Sequence, residues 1–228
     1  KDPLQTEYEF FTFTPFDNPY IQREIIEEDM KTMPERVIRQ EIYAEFLDDS
    51  GVVFRGIDKV MDASPSKPLD GHMYTLGVDL ARVQDYTVIV VYDRLNTEQV
   101  YQARFNQLEW PVVKGRIRDT AKHYHNATVV MDSTGVGDPI YNDLTREGVG
   151  VIPYKFTNET KKQLIEKLSN WIELGRIHLL NIEETKKEFT NFTYDISEKT
   201  GRVHYEAPAG FHDDIVIAHG LAVWDLVE

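Results

Sequence analysis

The sequence predicts an α/β fold: a mixed sheet with antiparallel strands in front, parallel strands behind, helices on its faces and one extra β-hairpin. Three observations predict it. Apolar residues make up 41% of 228 positions, enough for one large core. Residues 73–107 hold three strand-like apolar runs in succession, separated by short polar breaks. From residue 110 onward, helical and strand patterns alternate, which is the signature of βαβ units and parallel pairing.

Residues 1–49 read as a linker or docking arm ahead of a domain spanning 50–228. "FFTFTPFDNPY" (10–20) is aromatic and punctuated by proline, hence extended or loop-like. Two helices are predicted next, over 21–30 and 34–47, the second opened by Pro34 with Val37, Ile38, Tyr43, Ala44 and Leu47 along one stripe. "MDASPSKPLDGH" (61–72) is a connection rich in Pro and Ser. Strands follow at 73–81, 86–94 and 98–107, the last two joined by "LNTE" as a meander. Pro111 opens a helix over 111–125. "ATVVMD" (127–132) is apolar without alternation, as for a strand covered on both faces. A helix over 137–147 and a strand over 148–154 come next. The most regular helix spans 159–175, with Leu164, Ile165, Leu168, Trp171 and Ile172 on one face and Gly175 at its end. Another starts near Ile182, where Asn181 and Glu184 have the spacing of a cap pair. Residues 192–208 read as a hairpin turning at Lys199-Thr200-Gly201, and a helix over 213–227 closes the chain. This element order is that of the ribonuclease H-like fold.

The formal net charge is −14, which argues against a stand-alone nucleic-acid grip, since such modules carry a basic face. Without cysteine there is neither a disulfide nor a thiolate zinc site. No apolar run is long enough to span a membrane, and "KDPLQTEYEF" lacks the pattern of a signal peptide.

Acids stand at three element ends. Asp79 ends the first core strand, Asp132 ends "VVMD", and Asp213 and Asp214 open the last helix. Each has an ordinary reading, because aspartate caps turns and helix N-termini. Together they have another. If the two strands are neighbours, Asp79 and Asp132 share a rim, and a helix packed on the sheet brings its first turn to it. Carboxylates gathered there cannot all stay ionised without a cation. Oxygen ligands suit Mg²⁺ or Mn²⁺, and two such ions about 4 Å apart activate water and stabilise a leaving oxygen. Asp214 shares a helix face with Ile217, Ala218, Leu221 and Ala222, so it is the expected primary ligand. Asp213 then serves a weaker second position or caps the helix. Asp85 is a possible accessory acid, while His212 and His219 read as surface or packing residues. Basic residues that could meet an anionic partner fall in three groups: Lys114, Arg116, Arg118 and Lys122; Lys155, Lys161 and Lys162; and Lys199 and Arg202 at the hairpin.

With these residues in view, the chain resembles the C-terminal nuclease domain of the large terminase subunit of tailed bacteriophages. "GVDLARVQDYTVIVVYD", "VVMDSTGVGDP" and "FHDDIVIAHGLA" resemble that family's three acidic motifs in order. "FTPFDNPYI" and "RQEIYAEFLDDSGVVF" resemble the stretch joining its ATPase to its nuclease. The resemblance covers nearly the whole chain. It implies a metal-dependent endonuclease that cuts double-stranded concatemeric DNA during genome packaging, with Asp79, Asp132, Asp213 and Asp214 as metal ligands. It also implies a packaging ATPase in the same polypeptide, small terminase and portal as partners, and the cytoplasm of an infected bacterium as the setting. No GxxxxGK[ST] loop occurs, so no ATP site is expected in this stretch. Two rivals stay open. "GVDLA" with "DSTGVG" imitates the phosphate loops of an actin- or sugar-kinase-like phosphotransferase. A non-catalytic docking module of a packaging motor would suit the net acidity.

Overall fold

Strand β1 (Tyr74–Asp79) is the centre of a five-stranded sheet ordered β3-β2-β1-β4-β5. It pairs antiparallel with β2 (Thr87–Asp93), which pairs antiparallel with β3 (Glu98–Phe105). On its other side it pairs parallel with β4 (Thr128–Asp132), which pairs parallel with β5 (Val151–Tyr154). The computed structural model describes residues 11–31, 33, 37–45, 51–80, 86–134, 137–196, 203–208 and 212–226. The chain divides into two compact units, residues 1–50 and 51–228.

In the first unit, Asp17 accepts hydrogen bonds from the Thr14 backbone N–H at 2.7 Å and its hydroxyl at 2.8 Å, closing a 3₁₀ turn at Pro15–Asp17. Helix α1 follows at Arg23–Met30 and buries Ile26. The helix expected over 34–47 is not regular within its described part. Ile38–Ile42 winds as a π-helical turn, and Ala44 adopts a left-handed φ of 51°, which a continuing α-helix does not permit.

In the second unit, the sequence reading missed helix α2 (Ile57–Val60), a single turn entered through Gly56 at φ 74°. It is too short to show a period, and it forms because Ile57 and Val60 both bury. The remaining helices are α3 (Trp110–His123), α4 (Gly137–Arg146), α5 (Asn158–Glu173), α6 (Glu183–Asn191) and α7 (Asp214–Asp225). The expected Asn181–Glu184 cap does not form: Ile182 is the residue before the first turn of α6 and makes no side-chain cap. Strands β6 (Thr193–Ile196) and β7 (Val203–Glu206) pair antiparallel as the predicted hairpin. Its tip lies outside the described residues.

Because β2 is interior and covered on both faces, all seven of its residues are buried. Two cores result. Helices α3 and α4 cover one face through Val113, Ile117, Ile140 and Leu144. Helices α5, α6 and α7 cover the other through Leu164, Leu168, Phe189, Ile215 and Leu221. Helix α7 is buried from Asp214 to Val223, all round rather than along one stripe. Gly77 lets it approach β1: a Cβ there would lie 1.9 Å from the Ala218 carbonyl oxygen and 2.5 Å from the Ala222 nitrogen.

Candidate active site

Strand register decides where two of the acids emerge. Val78 of β1 lies opposite Met131 of β4, so Asp79 and Asp132 leave neighbouring parallel strands side by side at their carboxyl ends. That is where ligands bind in open α/β sheets. The close approach at Gly77 sets the first turn of α7 beside them. Asp79, Asp132, Asp213 and Asp214 all line one pocket of about 380 Å³, together with Leu80, Ile217 and the start of α5 through Phe156, Thr157, Asn158 and Lys161.

Each acid has its own support. Asp132 accepts a hydrogen bond from the Thr134 N–H at 2.7 Å, so its carboxylate also forms the turn that ends β4. Asp214 is 6% exposed and accepts from the Tyr86 N–H at 3.3 Å, and His212 Nδ1 lies 3.6 Å from it. Asp213 occupies the N-cap position of α7 but makes no side-chain cap; its carboxylate takes the Lys161 ammonium at 3.0 Å. Asp79 is partly exposed toward the pocket. Loss of water around it, then the charges of Asp214, Asp213 and Asp132, push its carboxyl well above the usual carboxylate range, while Lys161 acts the other way.

Behind α7 stands a second layer that the sequence reading missed. Glu188 of α6 accepts a hydrogen bond from the Ile215 N–H at 2.9 Å. Burial, with Asp214 and Asp213 adding to it, pushes Glu188 up to about 7, against the Ile215 bond and Arg104. Arg104 of β3 lies 3.2 Å from Glu188 and stacks over the Tyr86 ring at 3.7 Å. In sequence, Glu188 sits inside "EETKKEFTN", which reads as a solvated polar helix, so nothing local marks it.

Of the nine cations singled out from sequence, only Lys161 lines this pocket among the described residues. Lys114 and Arg118 on α3 are paired with Asp143 and Glu147. Arg116 stacks on Phe105, Lys162 lies 3.9 Å from Glu166, and Lys122 and Lys155 are exposed. Lys199 and Arg202 lie outside the described residues, as does Asp85. His219 is a packing residue as expected: fully buried, it meets the Tyr92 hydroxyl at 2.6 Å, and burial lowers its pKa to about 3.

The donor set is oxygen-only and over-rich in negative charge, which fits a hard divalent cation. Among the described residues, no three carboxylate or imidazole groups stand close enough to enclose one.

The Terminase RNaseH-like domain family matches residues 76–223. The large terminase subunit of Thermus virus P23-45 is 30% identical over 231 aligned positions, covering 95% of this chain and 46% of that protein. The corresponding subunit of Thermus phage G20c is 29% identical with the same coverage, so the chain spans about half the length of these curated relatives. The large terminase nuclease of thermophilic phage G20c, solved with bound magnesium, superposes with a TM-score of 0.72 at 28% identity, covering 78% of this chain and 98% of that one. The same nuclease has been solved with cobalt (TM-score 0.72, 28% identity, 78% and 98% covered) and with zinc (0.65, 26%, 77% and 99%).

Proposed function

The chain belongs to the Terminase RNaseH-like domain family, and from that premise we propose that it hydrolyses phosphodiester bonds of double-stranded DNA in a divalent-metal-dependent reaction during viral genome packaging. The observation that carries this reading is the convergence of Asp79, Asp132, Asp213 and Asp214 on one pocket at the ends of adjacent strands. Asp79, Asp132 and Asp214 would hold the metal, with Asp213 at a second position. Mg²⁺ or Mn²⁺ bound there supplies a water of lowered pKa and neutralises charge on the phosphate. The protein's own groups do the rest. The Thr134 and Tyr86 N–H groups orient two of the carboxylates. Lys161 balances Asp213 and brings a positive charge to the pocket wall, where a DNA phosphate can take it over. Residues 1–49 are read as the connection to a packaging ATPase in the same polypeptide. Small terminase, portal and the cytoplasm of an infected bacterium belong to the same proposal.

The test is incubation of supercoiled plasmid with the chain in Mg²⁺, Mn²⁺ or EDTA, followed by gel electrophoresis. Nicked and linear products are expected with metal and none with EDTA. Asp79→Asn and Asp132→Asn should each cut the rate by more than the roughly 100-fold that losing an outer-shell partner can cost. Undiminished cleavage in EDTA would overturn the proposal.

A further inference from the structure

Asp214 is held from two sides, and both supports meet at one cation. On one side, the Tyr86 N–H reaches Asp214 Oδ2 at 3.3 Å. On the other, Glu188 Oε2 accepts from the N–H of Ile215, the next residue along α7, at 2.9 Å. Arg104 touches both: its guanidinium lies over the Tyr86 ring at 3.7 Å and 3.2 Å from Glu188 Oε1. The contacts link the start of β2, the end of β3, helix α6 and the first turn of α7.

The chemistry is unusual for a mere helix cap. At most helix starts a Ser, Thr, Asn or Asp at the N-cap itself does that work, whereas Glu188 comes from another helix. Here a second carboxylate is buried beside an acidic cluster, at a cost that the Ile215 N–H and the Arg104 charge offset. Glu188 is 7% exposed, and the Arg104 Nε is buried without a hydrogen-bond partner among the described residues. The Arg104 guanidinium is thus spent on the Tyr86 face and the Glu188 charge. A buried carboxylate facing a half-buried guanidinium with incomplete hydrogen bonding is a poor stability device, since apolar side chains of the same volume often do as well. The placement of the pair instead fixes where a carboxylate stands, as outer-shell partners do for metal ligands.

We propose that Arg104 and Glu188 are positioning residues for the acidic site, holding Tyr86 and the first turn of α7 so that Asp214 is pre-set for a divalent cation. The inference rests on the metal-site reading above. It is tested by calorimetric titration of Mn²⁺ into the metal-free chain, with melting curves run in parallel. Glu188→Ala and Arg104→Met should each weaken Mn²⁺ binding by about 10-fold while the chain stays folded. Glu188→Gln should recover most of the affinity, because its amide oxygen still accepts the Ile215 N–H. Wild-type affinity in folded Glu188→Ala overturns the proposal, and so does a Glu188→Gln affinity as weak as that of the alanine variant. If Glu188→Ala does not fold, Arg104→Met decides by the same measurement, since it leaves the Glu188–Ile215 bond in place. A wild-type chain that takes up no Mn²⁺ is a separate result: it removes the metal-site reading itself.

Discussion

Asp79 holds its proton more tightly in the folded chain than in the unfolded one, because lost solvation and three neighbouring aspartates oppose its charge. A carboxylate with a raised folded pKa contributes stability below its unfolded value of 3.8, and that contribution is lost as pH rises through the folded pKa. Glu188 has the same sign: moved from 4.5 to about 7, it costs roughly 3 kcal/mol at alkaline pH. The metal-free chain should therefore melt at progressively lower temperature between about pH 5 and pH 8. Asp79→Asn removes one of these ionisations, so in EDTA it should melt above wild type at the upper end and lose that advantage at the lower. Scanning calorimetry of both proteins across the range checks this, and an Asp79→Asn chain less stable than wild type at pH 8 counts against it. The variant that gains stability is the one expected to lose cleavage, so the acidic site is held at a cost to the fold.

At the scale of elements, the site depends on how closely α7 lies on β1. The two carry Asp214 and Asp79, and Gly77 is their point of contact. A methyl group there meets backbone atoms at 1.9 and 2.5 Å, which no side-chain rotation relieves. Gly77→Ala should cost about 3 kcal/mol or more, toward the upper end of overpacking effects, and cleavage should fall with it. Near-normal melting and cutting would show that the strand and helix part without consequence. The sequence made most of this layout legible. Apolar runs located β1, β2, β3 and β4 within a residue or two, and the strand-end positions of Asp79 and Asp132 followed from them. Two things stayed hidden. Helix α7 is apolar around its whole circumference, so periodicity had little to say between Asp213 and Asp214. The structure separates them by burial and partner: Asp214 is enclosed against Tyr86, Asp213 is paired with Lys161. The Arg104–Glu188 pair joins residues 84 positions apart, and no local pattern encodes such a contact.

At the scale of the whole molecule, the proposed function requires a chain of net charge −14 to approach a polyanion, so DNA contact would have to come from cations that local acids do not hold once the metal is bound. Pairing divides the predicted set. Lys114 sits on Asp143 and Arg118 on Glu147, both on the face that α3 and α4 cover. Lys161 lies in the acidic pocket, and its partner Asp213 is one of the proposed metal ligands, so cation uptake would free the ammonium for a phosphate. The expectation is a contrast measured by the salt dependence of duplex binding in Ca²⁺, an oxygen-seeking cation used here to fill the site. Wild-type affinity should fall as salt rises, because phosphate contacts release counterions. Lys161→Ala should flatten the plot of log affinity against log salt by about one unit of slope, the loss of one phosphate contact. Lys114→Ala should leave the slope unchanged, since that ammonium is already neutralised by Asp143. If instead Lys114→Ala flattens the plot and Lys161→Ala does not, DNA runs across the α3 face, and the acidic pocket is not where its backbone is held.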